Sequence, residues 1–435
     1  MTHPVPSRPR LSARLTETSR TSAARRLTDA RGGAATWIIA VLVLAAVAFA
    51  VYWFVFRKAG GAGESAALAS RVMPAEVDII GGIDIAGLTQ SPVLRDLAKA
   101  QGVDLDQIEA KLKEGGVALA DLRSAYGRVV NAPEGTIALH PNISSALTSV
   151  AESLDYGRRP KVVVTSLDFP TIAYQWLAKV PHGVEVVVLQ SPDGIKVPLE
   201  LYERVIDDRT ALVATSHVFF TSGQIQDAAA ISAMAHRRGA LALIDGYQAA
   251  GQIPVDVTAM GADFYASGGL KWLLGGTGIA FVYARAELLP KLAPKAAGWF
   301  SHREQFRFDP TALELHDDAR RLENGTPALM PVYAQLGGLD LLEEIGIDAV
   351  RQETAALTED LIGLAREKGL KPKVAATAAE RSAIVMLPSE DPPRDVRSLA
   401  AAGIITDARP GHVRVSPYFY NVPDDYRALL EHLSP

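Results

Sequence analysis

The sequence predicts an α/β fold built on a seven-stranded, mostly parallel sheet. Seven short apolar runs, rich in β-branched residues, recur between residues 136 and 284. They alternate mostly with segments of helical pattern, which is the order of a sheet covered on both faces. A hydrophobic fraction of 48% over 435 residues supplies the core that this fold needs. The runs are TIALH (136–140), KVVVTS (161–166), VEVVVLQ (184–190), ALVATS (211–216), ALALID (240–245), ADFYAS (262–267) and IAFVYA (279–284).

The rest of the chain divides around this sheet, whose domain is predicted at 124–293. A smaller C-terminal α/β domain is predicted at 294–435, with a long helix at 346–368 and then a strand, helix, strand and helix. Before the sheet, residues 71–123 form a small α/β unit of unknown role. The pattern there predicts a strand-like VDIIGGIDIAGL (77–88) and short helices at SPVLRDLAKA (91–100) and DLDQIEAKLKE (104–114).

The amino-terminal segment predicts a membrane anchor. Residues 1–36 are basic and polar and are expected to be disordered. The uncharged run from Trp37 to Phe56 has the length of a transmembrane helix, with a flexible linker after it at 57–70. Seven arginines precede the span, so the amino terminus is expected in the cytoplasm. A cleaved signal peptide, ending near Ala67-Leu68-Ala69, is the alternative.

Composition excludes several kinds of function. A net charge of −5 gives no electrostatic footprint for nucleic acid. Cysteine is absent, so this chain has no disulfide, no thiolate metal site and no cysteine nucleophile. No metal site is predicted.

Polar and aromatic side chains follow the predicted strands. Ligands of open α/β sheets bind beyond the carboxyl ends of the strands, so these side chains are candidates for a site. They are Asn142, Ser144, Asp168, Phe169, Ser216, His217, Asp245 and Ser267.

Asp245 and Lys271 form the most informative pair of the chain. Asp245 ends one strand, and Lys271 lies in a Gly-rich turn after the next. An acid and a lysine on neighbouring rigid elements can address two sides of one planar cofactor. Pyridoxal phosphate needs both, because its aldehyde takes a lysine as a Schiff base and its ring nitrogen needs an acidic partner.

A series of motifs resembles the class V aminotransferase family, in its kynureninase-like branch, over residues 123–433. The resemblance implies the fold-type I architecture of pyridoxal phosphate enzymes, an amino-acid substrate and a homodimer. The motifs are Asp-Gly-Tyr-Gln (245–248), Ser-Gly-Gly-Leu-Lys-Trp-Leu (267–273), Gly-Trp-Phe-Ser-His (298–302), Gly-Thr-Pro (325–327) and the arginine of Val-Arg-Val-Ser-Pro (413–417).

The same resemblance assigns roles around the cofactor. Lys271 is the Schiff-base lysine and the base that moves the α-proton, and Asp245 is the partner of the ring nitrogen. Gln248 falls where the family contacts the phenolic oxygen. Ser144 and its neighbour Ile143 occupy the phosphate position, at a helix start whose free N–H groups suit an anion. The remaining cofactor contacts are Ser267 as a weaker phosphate donor and Phe169 as a ring-stacking aromatic.

Other roles concern the substrate and a second subunit. By resemblance, Thr326 reaches the phosphate of the neighbouring subunit, which implies shared active sites. Arg414 clamps the substrate carboxylate, because a planar guanidinium forms two parallel bonds to it. Trp299, in the Gly-Trp-Phe-Ser-His motif, and His217 complete the expected substrate pocket. His217 either faces the ring or fills the pocket wall.

Several reactions share this scaffold. Cysteine desulfurases need a cysteine to take the sulfur, and this chain has none. Asp-Phe-Pro-Thr (168–171) is similar to a kynureninase motif, but Ile172, Gln248 and Leu270 replace its acidic residue, histidine and tyrosine. A class V aminotransferase or lyase of undefined amino-acid substrate is therefore favoured over a true kynureninase-type hydrolase.

The amino-terminal arm that family members usually carry is not recognisable in this sequence. In its place stand the predicted anchor and the 71–123 unit. A gene fusion is one reading, and a membrane-tethered variant that rebuilt this edge is another. A membrane-anchored binding or dimerisation module without turnover therefore remains an alternative to an enzyme.

Overall fold

The computed structural model describes residues 79–80, 83–84 and 118–433. The predicted disordered segment (1–36), membrane span (37–56), linker (57–70) and helices at 91–100 and 104–114 lie outside these residues. Within the described residues, no helix is long and apolar enough to cross a membrane. The chain divides into two units between Val117 and Ala118. In the first, strands β1 (Ile79–Ile80) and β2 (Ile83–Asp84) pair antiparallel, inside the predicted strand-like segment.

Seven strands of the second unit form one sheet, and all seven predicted runs are among them. The order across the sheet is β3-β9-β8-β7-β6-β4-β5. Strand β9 runs antiparallel to both its neighbours, and the other pairings are parallel. The predicted mostly parallel sheet is therefore confirmed. The strands are β3 (Ile137–His140), β4 (Lys161–Thr165), β5 (Glu185–Leu189), β6 (Thr210–Ser216), β7 (Leu241–Asp245), β8 (Phe264–Gly268) and β9 (Ala280–Ala284).

Helices cover both faces of this sheet because alternate strand residues are apolar on both sides. Leu243 and Phe264 pack towards one face, and Ile244 and Tyr265 towards the other. The helices between the strands and before them are α1 (Ala118–Val129), α2 (Ile143–Ser153), α3 (Pro170–Leu177), α4 (Leu199–Val205) and α5 (Ala228–Arg237).

The second, smaller sheet confirms the predicted C-terminal α/β pattern. Its three antiparallel strands lie in the order β10-β12-β11 and share a core with three helices. Strand β11 was not predicted, since Asp-Ala-Arg carries no apolar pattern. The elements are α7 (Ile347–Glu367), β10 (Val385–Pro388), α8 (Pro392–Ala401), β11 (Asp407–Arg409), β12 (His412–Val415) and α9 (Pro423–Glu431).

Helix α6 (Leu329–Ile345) was also missed by the sequence analysis. It contains the pair Gly337-Gly338, which disfavours a helix interior, whereas Pro331 lies in its first turn, where proline is tolerated. Packing explains the glycine, because a Cβ at Gly338 would collide with the backbone carbonyl of Leu273. The Gln335 amide of the same helix donates to that carbonyl at 2.9 Å. Helix α6 thus holds the turn that carries Lys271.

Candidate active site

A cavity of about 250 Å³ opens at the carboxyl ends of the central strands. Two register partners at those ends, Ser216 of β6 and Asp245 of β7, both contribute to its wall. The structure therefore gathers residues that lie far apart in the sequence. The lining consists of Ile143, Phe169, Thr171, Ser216, Val218, Phe220, Asp245, Tyr247, Gln248, Leu270 and Lys271.

Asp245 is a buried carboxylate with few partners. Its side chain accepts one hydrogen bond at 2.8 Å from the backbone N–H of Tyr247. Burial raises the Asp245 pKa to about 6, against the smaller lowering effects of that hydrogen bond and of Lys271. A carboxylate with so little compensation is suited to a cationic partner entering the cavity.

Lys271 lies across the cavity in the turn between β8 and β9. Its Nζ is 4.8 Å from the centroid of the Tyr247 ring. Burial lowers the Lys271 pKa to about 8, and the nearby positive charge of Arg414 lowers it further than Asp245 raises it. A larger share of this amine is therefore neutral near neutral pH than for an ordinary lysine, as a nucleophile or base requires.

Gln248 has its side-chain orientation set by Trp272. The indole N–H of Trp272 donates to Gln248 Oε1 at 2.9 Å. Because an indole nitrogen can only donate, this contact assigns the amide oxygen and leaves the amide nitrogen to donate elsewhere. Gln248 lines the cavity, so it can offer an N–H there to an acceptor such as a phenolic oxygen.

Two helix amino termini meet at the cavity rim. The hydroxyls of Ser144, in the first turn of α2, and Thr171, in the first turn of α3, lie 2.9 Å apart. Asn142 caps α2 through the Ser145 N–H at 2.9 Å, so the N–H groups of Ile143 and Ser144 have no intrahelical partner. Hydroxyls and free N–H groups at paired helix starts fit a phosphate.

Asp168 has a structural position behind this rim. Its carboxylate accepts from the N–H of Thr165 at 2.7 Å, and from the N–H of Ser216 at 2.7 Å. It thereby ties the β4–α3 loop to the end of β6 and places Phe169. Burial raises the Asp168 pKa despite these bonds, and its charge in turn raises the pKa of Asp245.

Ser267 and His217 are not brought to the cavity wall. Ser267 is fully buried, and its hydroxyl donates to Tyr126 at 2.7 Å on the opposite face of the sheet. The reason is the strand period of two, since Ala266 is the register partner of Asp245 and Ser267 therefore points the other way. His217 Nδ1 lies 3.3 Å from the Tyr265 hydroxyl, and burial lowers the His217 pKa to about 4.

Thr326 and Trp299 lie in segments between β9 and α6 that do not line this cavity. Thr326 is exposed in the loop before α6. Trp299 is 36% exposed, stacks on Phe308 at 5.8 Å, and donates from its indole N–H to the Gln305 carbonyl at 2.6 Å. Neither side chain lines the cavity, and both are exposed.

Arg414 on β12 belongs to an ion cluster of the smaller sheet. Its Nη2 lies 2.9 Å from Asp407 Oδ2, and Arg409 Nη2 lies 2.6 Å from the same oxygen. Burial lowers the Arg414 pKa, and the neighbouring charge of Arg409 lowers it further. The Arg409 guanidinium lies 5.7 Å from the centroid of the Phe220 ring, which lines the cavity, so this cluster lies next to the cavity.

Several residues in or next to the cavity were not predicted from the sequence. Thr171 belongs to the motif Asp-Phe-Pro-Thr (168–171), and Tyr247 belongs to Asp-Gly-Tyr-Gln (245–248). Both could have been predicted, because each lies in the same motif as an assigned residue. Phe220 lines the cavity and packs edge-on against Phe169, with ring centroids 5.2 Å apart. Arg409 lies over the Phe220 ring at 5.7 Å. No sequence signal marks Phe220 or Arg409, because only the tertiary fold brings them to this place.

The family model for aminotransferase class V matches residues 105–424. The chain belongs to this family. It is 36% identical over 318 residues to the uncharacterized aminotransferase YcbU of Bacillus subtilis, covering 72% of this chain and 82% of that protein. It is 30% identical over 246 residues to the kynureninase of Pseudomonas fluorescens, covering 56% of this chain and 57% of that protein.

Solved structures show the same fold at low identity. A cysteine desulfurase from Thermococcus onnurineus aligns with a TM-score of 0.68 at 22% identity, over 75% of this chain and 84% of that chain. The cystine C-S lyase C-DES, in complex with its product cysteine persulfide, aligns with a TM-score of 0.69 at 22% identity, over 75% of this chain and 89% of that chain. The chain therefore has the fold-type I architecture.

Pyridoxal 5'-phosphate is the cofactor of the family, and the cavity fits it. Asp245 suits the ring nitrogen, the Gln248 amide suits the phenolic oxygen, and the helix starts at Ile143 and Thr171 suit the phosphate. The ring of Phe169, which is 45% exposed, can cover one face of the cofactor. The chain thus belongs to a family of pyridoxal phosphate enzymes, and its cavity has the residues to hold that cofactor.

Proposed function

We propose that this class V enzyme acts on an α-amino acid, by transamination or related chemistry at the α or β carbon. The observation that carries the proposal is the presence of both Asp245 and Lys271 in the wall of one cavity. Burial disfavours the charge of both, raising the pKa of the acid to about 6 and lowering that of the amine to about 8. An acid whose pKa is raised towards neutrality and a lysine whose pKa is lowered towards it are typical of acid–base sites.

The side chains have distinct tasks in this proposal. Bound pyridoxal phosphate supplies an electron sink for negative charge at the substrate carbon. Asp245 holds a proton shared with the ring nitrogen, and Lys271 Nζ moves the proton at the substrate α-carbon. Arg414 binds the substrate carboxylate. Phe169 and Phe220 narrow the mouth of the cavity and exclude water.

The first test is the visible spectrum of the full chain with pyridoxal phosphate. We expect a band of covalently bound cofactor that Lys271→Ala removes and that Lys291→Ala, a matched change at an exposed lysine, leaves in place. Absence of the band from the unmutated protein would refute cofactor binding. Amino acids are then added one at a time, and a spectral change with formation of an oxo acid supports transamination.

Two other outcomes of that panel correspond to the rival functions. Formation of anthranilate from kynurenine would support the kynureninase-type hydrolase, although the apolar Leu270 lines the cavity where that enzyme has a tyrosine. A protein that binds the cofactor and responds to no amino acid would be the non-catalytic binding module. A desulfurase is disfavoured because the chain contains no cysteine.

We also propose a homodimer with shared active sites. The support is the exposure of Thr326 and Trp299 outside the cavity of their own subunit, together with the family's pattern. Light scattering of the cofactor-loaded protein should give twice the mass of one chain. A single-chain mass would contradict shared sites.

The predicted anchor at Trp37–Phe56 remains a proposal supported by its uncharged, 20-residue apolar run. It implies a single-pass membrane protein with a cytoplasmic amino terminus. A reporter that is active only outside the cytoplasm, fused after Pro435, should be active. A silent reporter beside an active cytoplasmic one would reverse the predicted orientation.

A further inference from the structure

Asp407 contacts two arginines at once, and no part of the proposed reaction has used it. Its Oδ2 atom lies 2.9 Å from Arg414 Nη2 and 2.6 Å from Arg409 Nη2. The register of the small sheet makes this contact possible, because Asp407 on β11 is the direct partner of Arg414 on β12. Side chains of directly opposed residues stand on the same face of a sheet.

The two arginines differ in how many of their nitrogens are in use. Arg409 Nη1 donates to the Ala408 carbonyl at 2.7 Å, Nη2 contacts Asp407, and the guanidinium covers the Phe220 ring. Arg414 has one hydrogen bond among the described residues, from Nη2 to Asp407. Arg414 Nη1 is thus left for a ligand, and Arg409 is committed to its surroundings.

The charge of the cluster also leaves Arg414 available. One carboxylate faces two guanidinium groups, so the three side chains together carry one positive charge. A full ion pair between Asp407 and Arg414 would neutralise Arg414, but Arg409 competes for the same oxygen. A substrate carboxylate therefore meets an arginine that is held in place and still cationic.

The small sheet is fixed relative to Lys271 by Tyr418. This residue follows β12 in the chain, and its hydroxyl contacts the Trp272 carbonyl at 2.9 Å and the Gly251 carbonyl at 2.5 Å. Trp272 is the residue after Lys271. Strand β12, which carries Arg414, is thus linked to the turn that carries Lys271. The position of Arg414 relative to Lys271 is therefore fixed by the fold.

We propose that Asp407 is a positioning residue, which holds the Arg414 guanidinium towards the cavity so that it binds the substrate carboxylate, while Arg409 keeps Asp407 from neutralising it. This inference rests on the proposed function, since it assigns the carboxylate-binding role to Arg414. It adds two residues to the machinery, Asp407 and Arg409, neither of which contacts the cofactor cavity directly.

The first test compares two ligands of the cofactor-loaded protein. One ligand is an α-amino acid, and the other is the amine that has the same structure except that it lacks the α-carboxylate. Asp407→Asn should weaken binding of the amino acid about tenfold, because the charge-assisted hydrogen bond that holds Arg414 is replaced by a weaker one to a neutral amide, and it should leave binding of the amine unchanged. Equal effects on both ligands, or no effect on the amino acid, would overturn the proposal. Asp424→Asn, which breaks the exposed pair with Arg427 on α9, is the control and should change neither.

The second test needs no cofactor and therefore separates this proposal from the proposed function. In the cofactor-free full chain, the Lys271 pKa is measured from the pH dependence of its labelling by an amine-reactive reagent, read by mass spectrometry. Arg414→Gln should raise the Lys271 pKa, because Arg414 lowers it. In an Asp407→Asn background the same change should have little effect, because the guanidinium is no longer held nearby.

The outcomes of the cycle are distinct. An equal rise of the Lys271 pKa in both backgrounds would show that Arg414 keeps its place without Asp407, and would overturn the positioning role. Absence of a cofactor band from the unmutated protein would refute the proposed function, and the labelling cycle would still decide the role of Asp407. A structural role alone would lower the melting temperature of Asp407→Asn without producing the difference between amino acid and amine.

Discussion

Two buried carboxylates lie near opposite ends of strand β7, and they differ in the number of partners that compensate their charge. At its amino end, Asp263 accepts from the Ala242 N–H at 2.7 Å and from His236 at 2.8 Å, and it lies 2.7 Å from Arg285 Nη2 in an ion pair without hydrogen-bond geometry. At its carboxyl end, the Asp245 side chain accepts one hydrogen bond, from the backbone N–H of Tyr247. The first acid is compensated by its neighbours, and the second is left for a ligand.

This difference separates a structural carboxylate from one that is available to a ligand. A buried acid whose charge is already compensated by neighbouring donors and a guanidinium supports the fold and has little affinity left for a further cation. An acid with one partner costs stability and gains affinity for whatever brings the missing charge. Both ends of the sheet are buried, so the choice of partners and not the depth of burial separates structure from function.

The largest expected effect tests the functional end. Asp245→Asn should reduce turnover of the proposed amino-acid substrate by about a hundredfold or more, because the amide cannot hold the proton at the ring nitrogen. Asp263→Asn should leave turnover per folded molecule unchanged. Steady-state kinetics of both variants check this. Equal losses in the two would remove the contrast between the two ends.

Substitution of the structural carboxylate Asp263 should affect the stability of the fold and not turnover. Asp263→Asn should lower the free energy of unfolding by about 2 to 4 kcal/mol, because it leaves Arg285 and His236 without their carboxylate. The side chains of His236 and Arg285 are partly exposed and can turn to water, which keeps the loss below that of a fully buried pair. Urea unfolding measures it. A change within about 0.5 kcal/mol would mean that the cluster is unimportant for stability.

The same measurement on cofactor-free Asp245→Asn should show a gain. Burial raises the Asp245 pKa from 3.8 in the unfolded chain to about 6 in the fold, so the fold disfavours the ionised form. Stability is therefore greatest below pH 3.8, where Asp245 is protonated in both states, and it is lost as the pH rises through about 6. At pH 8 the substitution should stabilise by about 2 to 3 kcal/mol, and at pH 5 by about half as much. A gain independent of pH would show that ionisation of Asp245 is not its cause.

A smaller effect tests the support of Gln248. Trp272→Phe keeps the aromatic body and removes the indole N–H, so the Gln248 amide can rotate and present its oxygen to the cofactor. We expect affinity for pyridoxal phosphate to fall by about three- to tenfold, the equivalent of one weakened hydrogen bond. Titration of the cofactor band measures it. Unchanged affinity would mean that Gln248 does not need Trp272 for its orientation.

The main features of the fold were predictable because they depend on local patterns. The seven runs are β-branched and apolar, and the structure has a strand at each of them. Helix α6 was not predictable in this way, because Gly337 and Gly338 disfavour a helix locally and the packing of α6 on the Lys271 turn outweighs them. Strand β11 gave no signal either, since its three residues are held by pairing with β12.

The site divides along the same line. Sequence by itself determined that Asp245 and Lys271 follow neighbouring strands, and that Ile143, Phe169 and Gln248 lie near them, because each belongs to a motif at a strand or helix end. Only the tertiary structure decided that Ser267 faces Tyr126, since a shift of one residue in register reverses a side chain. It also decided that Asp407 contacts both Arg414 and Arg409, a contact that exists only where β11 and β12 pair.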